Sequence, residues 1–270
     1  MRALCVTADL DRDVNIQIPG EAAAGSLDIG KGTSPRFVST QTGLDVLLGI
    51  LKDTRVKATF FAEGRTLDNM SAKGLSEHEV GIHGYDHEDM TAMSEHDVRA
   101  CIGRSVDSVR RAVGRDPVSF RAPYMRVNGT VLDILPEFGI RCDSSSYVQL
   151  SGSIFPFKHP NGIAEVPVPE GRDPLGRKIA AYLWPMHEGK RQPEDYLNMA
   201  SQVKEGVFVI ATHTWHMTES RERGNMTPDE IARNAVNVKK VIDGITGMGF
   251  EPMSVSEAAE YFSVGKNHSR

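Results

Sequence analysis

Acidic and imidazole side chains occur at separated points of the chain, in each case directly after a short apolar run. Asp9 and Asp11 follow the first run, His83 and His87 follow a later one, and His213 follows the most hydrophobic one. Because side chains alternate along a strand, Asp9 and Asp11 could face one pocket together. Two imidazoles and one carboxylate can hold a divalent ion and leave positions open for water and substrate. These residues therefore predict a catalytic metal site, with Zn²⁺ as the expected ion.

The same residues also have interpretations without chemistry. Asp9 and Asp11 could belong to an exposed acidic turn that Asp13 continues. His83 and His87 could be surface or capping histidines, because a spacing of four also arises by chance. That spacing brings two imidazoles to one ion if the segment forms a helical turn, and we expect such a turn here.

Two further positions carry candidate functional groups. Arg121 follows a predicted strand, where its permanent charge could hold a carboxylate ionised and oriented, although a surface salt bridge is the alternative. His213 is expected at the rim of the pocket as a general acid, with a structural histidine as the alternative and His216 as a weaker competitor. Trp215 could line the pocket as an apolar wall for a sugar ring or pack in the core.

The elements that must position these residues alternate between short apolar runs and longer amphipathic stretches, which is typical of βα units. In a parallel barrel the carboxyl ends of the strands open on one face, so the scattered polar residues, Asp143 among them, are expected to converge there. Strands are predicted at 3–8, 56–61, 79–82, 118–120, 139–142, 207–211 and 250–253, and helices at 44–51, 96–113, 131–138, 228–245 and 256–262.

Two segments lack this alternation. Residues 12–41 are rich in glycine, serine and proline and predict a long loop, and residues 151–193 predict irregular structure with a few short strands. Loops of this length commonly carry specificity. We find no internal repeat or linker, so a single domain over residues 1–270 is the simplest organisation.

Composition limits the classes of function. The chain has 270 residues, 40% of them hydrophobic, and a net charge of -5. The length suits one (β/α) barrel-type domain, and the charge argues against a nucleic-acid partner, which needs a basic surface. No apolar run approaches the length of a membrane span, so no membrane partner is expected.

The cysteines and the N-terminal residues predict the compartment. Cys5, Cys101 and Cys142 are an odd number without metal-type spacing, so we expect reduced and mostly buried thiols. The first residues contain too short an apolar run for a signal peptide. The sequence therefore predicts a cytoplasmic location.

Five motifs, in this order, resemble those of the polysaccharide deacetylase family, the NodB-homology group that is also called carbohydrate esterase family 4. The resemblance runs from the first strand to about residue 216, and the helix at 228–245 fits it as well. The motifs are Thr7-Ala8-Asp9-Leu10-Asp11, His83-Gly84-Tyr85-Asp86-His87, Arg121-Ala122-Pro123-Tyr124, Asp143-Ser144-Ser145-Ser146 and His213-Thr214-Trp215.

The resemblance implies an α/β fold, an irregular (β/α)7-type barrel, and a hydrolase that acts on carbon–nitrogen bonds other than peptide bonds. The implied reaction removes acetyl groups from an amino sugar or glycan, so the substrate would be a small molecule or an oligosaccharide. The family also implies a divalent metal, often zinc, with Asp11, His83 and His87 as its ligands.

The resemblance assigns four further roles at matching positions of this chain. Asp9 would be the general base, and Arg121 would orient it. His213 would protonate the leaving amine, and the backbone N–H of Tyr124 would help the metal to hold the oxyanion.

The chain departs from the family pattern at two points. Leu10 separates two aspartates that are adjacent in most members, and Gly84 stands where a serine or threonine is usual. The Asp-x-Asp spacing is similar to that of a branch with peptidoglycan-deacetylase-like and allantoinase-like proteins. It also leaves open an exchange of roles between Asp9 and Asp11.

Two other functions stay open at the level of sequence. One is hydrolysis of a cyclic amide such as allantoin, which needs the same attack by water and a small closed pocket. The other is a catalytically silent sugar-binding module, although a mere binder has no use for both a base and an acid. The oligomeric state also stays open, and a homo-oligomer is compatible with the sequence.

Overall fold

The computed structural model of the chain describes residues 1–12 and 35–265. Asp13 and most of the predicted loop at 12–41 lie outside the described residues. The last part of that predicted loop, residues 35–41, is helical, because the first helix begins at Pro35 rather than near Leu44. A proline suits this position, since the first residues of a helix need no backbone N–H partner.

The described residues contain eight α-helices and fifteen strands. The helices are α1 (Pro35–Thr54), α2 (Gly64–Asn69), α3 (Glu95–Val113), α4 (Gly129–Ile134), α5 (Trp184–His187), α6 (Pro193–Gln202), α7 (Pro228–Gly247) and α8 (Val255–Gly265). The strands are β1 (Arg2–Leu10), β2 (Ala58–Ala62), β3 (Glu79–Ile82), β4 (Ser119–Phe120), β5 (Cys142–Asp143), β6 (Tyr147–Gln149), β7 (Ser153–Ile154), β8 (Phe157–Lys158), β9 (Ala164–Glu165), β10 (Val168–Arg172), β11 (Lys178–Ala180), β12 (Glu205–His213), β13 (Glu219–Ser220), β14 (Gly224–Asn225) and β15 (Glu251–Pro252).

Ten of these strands form one curled sheet in the order β7-β12-β1-β2-β3-β4-β5-β9-β8, with β15 also paired to β1. Every pairing in it is parallel except that of β8 with β9. The curled parallel sheet with covering helices confirms the predicted α/β fold of the irregular (β/α)7 type. A three-stranded sheet (β11-β10-β6) and a two-stranded sheet (β13-β14) flank it.

The centre of the large sheet is built from its two longest strands, β1 and β12. In β1 the residues from 3 to 10 are all buried, and in β12 those from 206 to 213 are. A parallel strand that is covered on both faces has to be apolar on both, and this explains the continuous apolar runs. Polar residues within these buried stretches, such as Asp9 and His213, are therefore uncommon and need a structural or functional reason.

Local capping contacts fix the ends of the long helices. At α3 the Ser94 hydroxyl accepts a hydrogen bond from the Asp97 amide at 3.2 Å, and Gly114 ends the helix with φ 74°. At α7 Thr227 and Glu230 form a reciprocal capping box. These contacts satisfy backbone groups that the helix itself cannot pair.

One predicted helix ends earlier than expected, and one helix of the structure was not predicted. The predicted helix at 131–138 ends as an α-helix at Ile134 and continues as a 3₁₀ turn, Leu135–Phe138, because Pro136 has no N–H for an α-helical bond. The helix α6, Pro193–Gln202, was not predicted, since its start falls at the end of the irregular segment. Within residues 1–12 and 35–265, no helix combines the length and the apolarity that crossing a bilayer requires.

Candidate active site and metal centre

Four of the polar residues expected at the strand ends, Asp9, His83, His87 and His213, line one cavity. Asp9 lies opposite His213 in the register of β1 and β12. The cavity has a volume of about 180 Å³, and its lining includes Asp9, His83, His87, Tyr124 and His213. Residues more than 200 positions apart in the chain therefore share one pocket.

Asp11, His83 and His87 form a compact cluster of metal-binding atoms at this cavity. Their ligand atoms all lie within 4.8 Å of one another, and all three residues are buried. The Oδ2 atom of Asp11 lies 3.4 Å from Nε2 of His87, and the two imidazole centroids are 5.1 Å apart. The alternative of an exposed acidic turn with surface histidines is therefore wrong.

The orientation of His83 suits a metal ligand. Its Nδ1 atom lies 2.8 Å from the backbone oxygen of Arg121, and a carbonyl oxygen can only accept a hydrogen bond. Nδ1 therefore carries the hydrogen, and the lone pair is on Nε2. Metal-binding histidines are commonly held by such a contact from the second nitrogen, so the donor set fits a divalent ion.

The segment from His83 to His87 is not the helical turn that the spacing predicts. Gly84 has φ 71° and His87 has φ 56°, which no α-helix accommodates. The carboxylate of Glu88 folds back and accepts hydrogen bonds from the amides of Tyr85 and Asp86, at 3.0 and 2.8 Å. A Cβ atom at residue 84 would lie 2.9 Å from that carboxylate, and the positive φ of Gly84 is a conformation that favours glycine.

Arg121 is completely buried and holds Asp9. Its Nη1 atom donates to Oδ1 of Asp9 and to the Thr7 hydroxyl, each at 2.9 Å, and its Nε donates to the backbone oxygen of Ser144 at 2.8 Å. The contact is thus no surface salt bridge. Burial alone would raise the pKa of Asp9, but the charge of Arg121 outweighs it, with help from His83, and the pKa lies below its ordinary value.

Tyr182 is a residue of this site that the sequence reasoning missed. Its hydroxyl donates to Oδ2 of Asp9 and lies 3.1 Å from Nε2 of His213. Since a hydroxyl has a single hydrogen, its oxygen accepts from the Nε2–H of His213. An isolated parallel β-bridge between Tyr182 and Ala211 of β12 holds Tyr182 at this position. The apolar run around residues 179–183 is the signal that could have indicated a strand at this point.

His213 and His216 occupy different environments. His213 lines the cavity, and burial holds its pKa well below the ordinary value although the charge of Asp9 acts in the opposite direction. His216 is fully buried, with Nε2 at 3.0 Å from Oε1 of Glu188, and stacks on Trp215 at 3.8 Å. Trp215 is itself fully buried, so it packs in the core and forms no wall for a substrate.

The turn at Tyr124 has an uncommon backbone. Tyr124 has φ 59° and Met125 has φ 57°, a conformation that residues other than glycine rarely adopt. The turn is braced at its start, where the Ser145 hydroxyl accepts a hydrogen bond from the amide of Ala122 at 2.8 Å. The Tyr124 ring packs edge-on against His87, with centroids 4.6 Å apart. Strain of this kind concentrates at functional sites.

Other residues of the pocket wall carry no sequence signal that we recognised. Tyr147, Trp184 and Arg221 line the cavity together with the predicted residues.

Asp143, in contrast, does not line the cavity. Its carboxylate accepts a hydrogen bond from the Ser145 hydroxyl and lies next to Glu165, so the convergence expected for Asp143 is not observed.

Comparison with known proteins places this geometry in a family context. Residues 28–142 match the family model described as polysaccharide deacetylase. The chain is 30% identical over 138 residues to a peptidoglycan deacetylase of Helicobacter pylori, which covers 46% of this chain and 46% of that protein. The chain thus spans about half the length of this relative.

Solved structures show the same fold over nearly the whole chain. One from Mycobacterium smegmatis, provisionally described as a polysaccharide deacetylase, has a TM-score of 0.68 at 21% identity and covers 98% of this chain and 91% of that one. Puue allantoinase has a TM-score of 0.66 at 14% identity, with 97% and 90% covered. The fold is therefore the (β/α)7-type barrel of these proteins. With the match of residues 28–142, the comparisons confirm the resemblance to the polysaccharide deacetylase family.

Proposed function

We propose that the chain is a metal-dependent hydrolase that removes N-linked acetyl groups from an amino sugar or glycan. The observation that carries this proposal is the buried cluster of Asp11, His83 and His87 at a cavity that Asp9 and His213 also line. The family match and the deacetylase description of the Helicobacter pylori relative support the substrate class.

Asp11, His83 and His87 would hold the divalent ion, for which Zn²⁺ is our first expectation because imidazole and carboxylate are its usual ligands in catalytic sites. Such an ion supplies a water of lowered pKa and polarises the carbonyl oxygen of the amide. The contact of Asp11 with His87, and that of Asp9 with Arg121, support Asp11 as ligand and Asp9 as base rather than the exchanged roles.

Asp9 acts as the general base in this proposal. Its lowered pKa keeps the carboxylate ionised at neutral pH, ready to take a proton from the attacking water. Arg121 holds one carboxylate oxygen and the Tyr182 hydroxyl holds the other, so the base has a single orientation before substrate binds. Such fixed orientation lowers the entropic part of the barrier.

His213 delivers a proton to the leaving amine, which cannot depart as an anion. Its lowered pKa makes the imidazole neutral at the start of the reaction, so it has to receive a proton during the cycle. The Tyr182 hydroxyl donates to Asp9 and accepts from His213, so it fixes the base and the acid relative to each other. The backbone N–H of Tyr124 would donate to the developing oxyanion.

Hydrolysis of a cyclic amide is the second candidate. The volume of about 180 Å³ favours it, because a small ring fills such a cavity whereas a polymer has to lie across its mouth. The fold shared with Puue allantoinase is compatible with it. The silent binding module is disfavoured, since Asp9 and Arg121 form a buried base assembly that mere binding does not need.

A substrate panel tests the proposal. Zn²⁺-loaded protein is incubated with acetylated glucosamine oligomers, with acetylated monosaccharides and with allantoin, and release of acetate or ring opening is measured. We expect acetate release, abolished in Asp9→Asn and retained in Asp45→Asn, a substitution on the exposed face of α1. Ring opening of allantoin without acetate release would favour the second candidate, and no turnover of any compound would favour the binding module.

A further inference from the structure

A second group of metal-binding side chains lies outside the catalytic cavity. It consists of Asp143 at the end of β5, Glu165 at the end of β9, and His159 in the turn between β8 and β9. Asp143 and Glu165 are direct partners in the parallel register, and the ligand atoms of all three residues lie within 4.8 Å of one another. None of the three lines the catalytic cavity.

The two carboxylates of this group are fully buried next to each other. In the described part of the chain, neither makes an ion pair with a lysine or arginine, and His159, at 3.3 Å from Glu165, is the one basic partner. Adjacent buried negative charges are costly unless a cation or a shared proton compensates them.

Hydrogen bonds from Ser145 and Ser146 hold one oxygen of each carboxylate. The Ser145 hydroxyl donates to Oδ1 of Asp143, and the Ser146 amide donates to Oε1 of Glu165 at 2.9 Å. Oδ2 of Asp143 is buried and has no hydrogen-bond partner within the described residues. Oε2 of Glu165 faces Nε2 of His159. Outer contacts that fix one oxygen and free the second are typical of metal-binding carboxylates.

We propose that Asp143, Glu165 and His159 bind a second divalent transition-metal ion, separate from the ion at the catalytic cavity. Two carboxylate oxygens and one imidazole nitrogen form a ligand set suited to Zn²⁺, and water completes the coordination. Such an ion neutralises the paired carboxylates without a bound proton. The side chain of His159 is 17% exposed, which gives the ion a route from solvent.

This ion would act on the structure of the turn next to the active site. The Ser145 hydroxyl that donates to Asp143 also accepts the amide hydrogen of Ala122, the residue before the Pro123–Met125 turn. Fixing Asp143 therefore fixes the start of the turn that carries the Tyr124 N–H. The second ion has a bracing role in this arrangement and touches no substrate.

Metal stoichiometry after chelation, Zn²⁺ loading and gel filtration tests this proposal. We expect two Zn²⁺ per chain in the wild type, one in Glu165→Gln, one in His83→Ala and none in the double variant. Glu165→Gln keeps the size of the side chain and an oxygen acceptor for the Ser146 amide. Glu170→Gln, on the neighbouring strand β10, is the matched control and should retain two ions.

Equal metal content in wild type and Glu165→Gln would overturn the proposal and leave a carboxylate pair that shares a proton. Should Glu165→Gln fail to fold by circular dichroism, His159→Gln replaces it, because a partly exposed side chain tolerates exchange. Loss of the single ion in Glu165→Gln together with its retention in His83→Ala would support the second site and contradict the catalytic one. The metal contents of these variants therefore test the second metal site and the catalytic metal site separately.

Discussion

Tyr182 contacts both the proposed general base, Asp9, and the proposed general acid, His213. Its hydroxyl donates to the carboxylate of Asp9 and accepts from the imidazole of His213. Burial and the charge of Asp9 raise the pKa of Tyr182 well above its ordinary value, so the hydroxyl keeps its hydrogen at all pH values of interest. The residue therefore positions base and acid without titrating itself.

Removing this hydroxyl tests the connection. In Tyr182→Phe, kcat/KM is expected to fall about tenfold to 100-fold, because a hydrogen bond to a charged group is worth about 1.5–3 kcal/mol. The Tyr182 hydrogen bond lowers the pKa of Asp9, so its loss raises that pKa and moves the acidic limb of the rate profile to higher pH. Steady-state kinetics across pH measure both effects. Tyr261→Phe, at an exposed tyrosine, is the control, and an unmoved acidic limb would contradict the role.

Single substitutions distinguish the proposed base, Asp9, from the proposed metal ligand His83. Asp9→Asn is expected to keep the metal and lose about 10²–10⁴-fold in kcat, because general base catalysis contributes that much. His83→Ala is expected to lose one ion per chain together with turnover. Mass spectrometry of the metal content and an acetate-release assay measure both. Full metal content in His83→Ala would contradict the ligand assignment.

At the scale of elements, helix α1 packs closely against the turn that follows β12, next to the proposed active site. The helix approaches the turn after β12 so closely that a Cβ atom at Gly43 would lie 1.8 Å from the backbone oxygen of Thr214. That turn directly follows His213. The predicted helix begins at residue 44, just after Gly43, and the sequence gives no sign of this contact, since a glycine at such a position has several explanations.

A pair of glycine substitutions within α1 measures this contact. Gly43→Ala is expected to lower the free energy of unfolding by about 1–3 kcal/mol and to reduce kcat, because α1 or the turn after His213 has to move. Gly49→Ala meets no atom within 4 Å, and it should raise stability by about 0.5–1 kcal/mol, since alanine is the better helix former. Urea unfolding and an activity assay compare the two variants. Equal effects of both substitutions would show that the close approach does not exist.

At the scale of the whole molecule, buried hydrogen bonds connect helices α5 and α7 with the central strand β12. His187 of α5 is fully buried among them, with Nδ1 at 2.5 Å from Oδ1 of Asn234 on α7 and Nε2 at 2.7 Å from the hydroxyl of Thr212 on β12. Burial lowers the pKa of His187 from 6.5 to about 4. The folded protein therefore favours the neutral imidazole.

This histidine makes the stability of the molecule depend on pH. Because the pKa is lower in the folded state, its contribution is complete above pH 6.5 and is lost as pH falls toward 4. The loss amounts to about 3 kcal/mol at the acidic end. Urea unfolding of the wild type and of His187→Gln at pH 7 and pH 4.5 measures it, and the variant should show the smaller decrease. The same decrease in both proteins would contradict the lowered pKa.

The sequence by itself determined the order of the main strands and long helices and the polar residues that follow the strands. This information is local, because apolar runs and strand-end positions such as Asp9 depend on neighbouring residues. It predicted the α/β barrel, and the rule for parallel strands predicted that Asp9, His83, His87 and His213 would share one pocket.

The tertiary structure decided which side chains touch. Tyr182 reaches Asp9 and His213 through a bridge to β12, and Asp143 faces Glu165 rather than the cavity, because pairing and register join segments that are remote in the chain. The turn at His87 departs from the expected helix because the Glu88 carboxylate binds its amides. Contacts of this kind depend on the packing of the whole domain, and no local pattern records them.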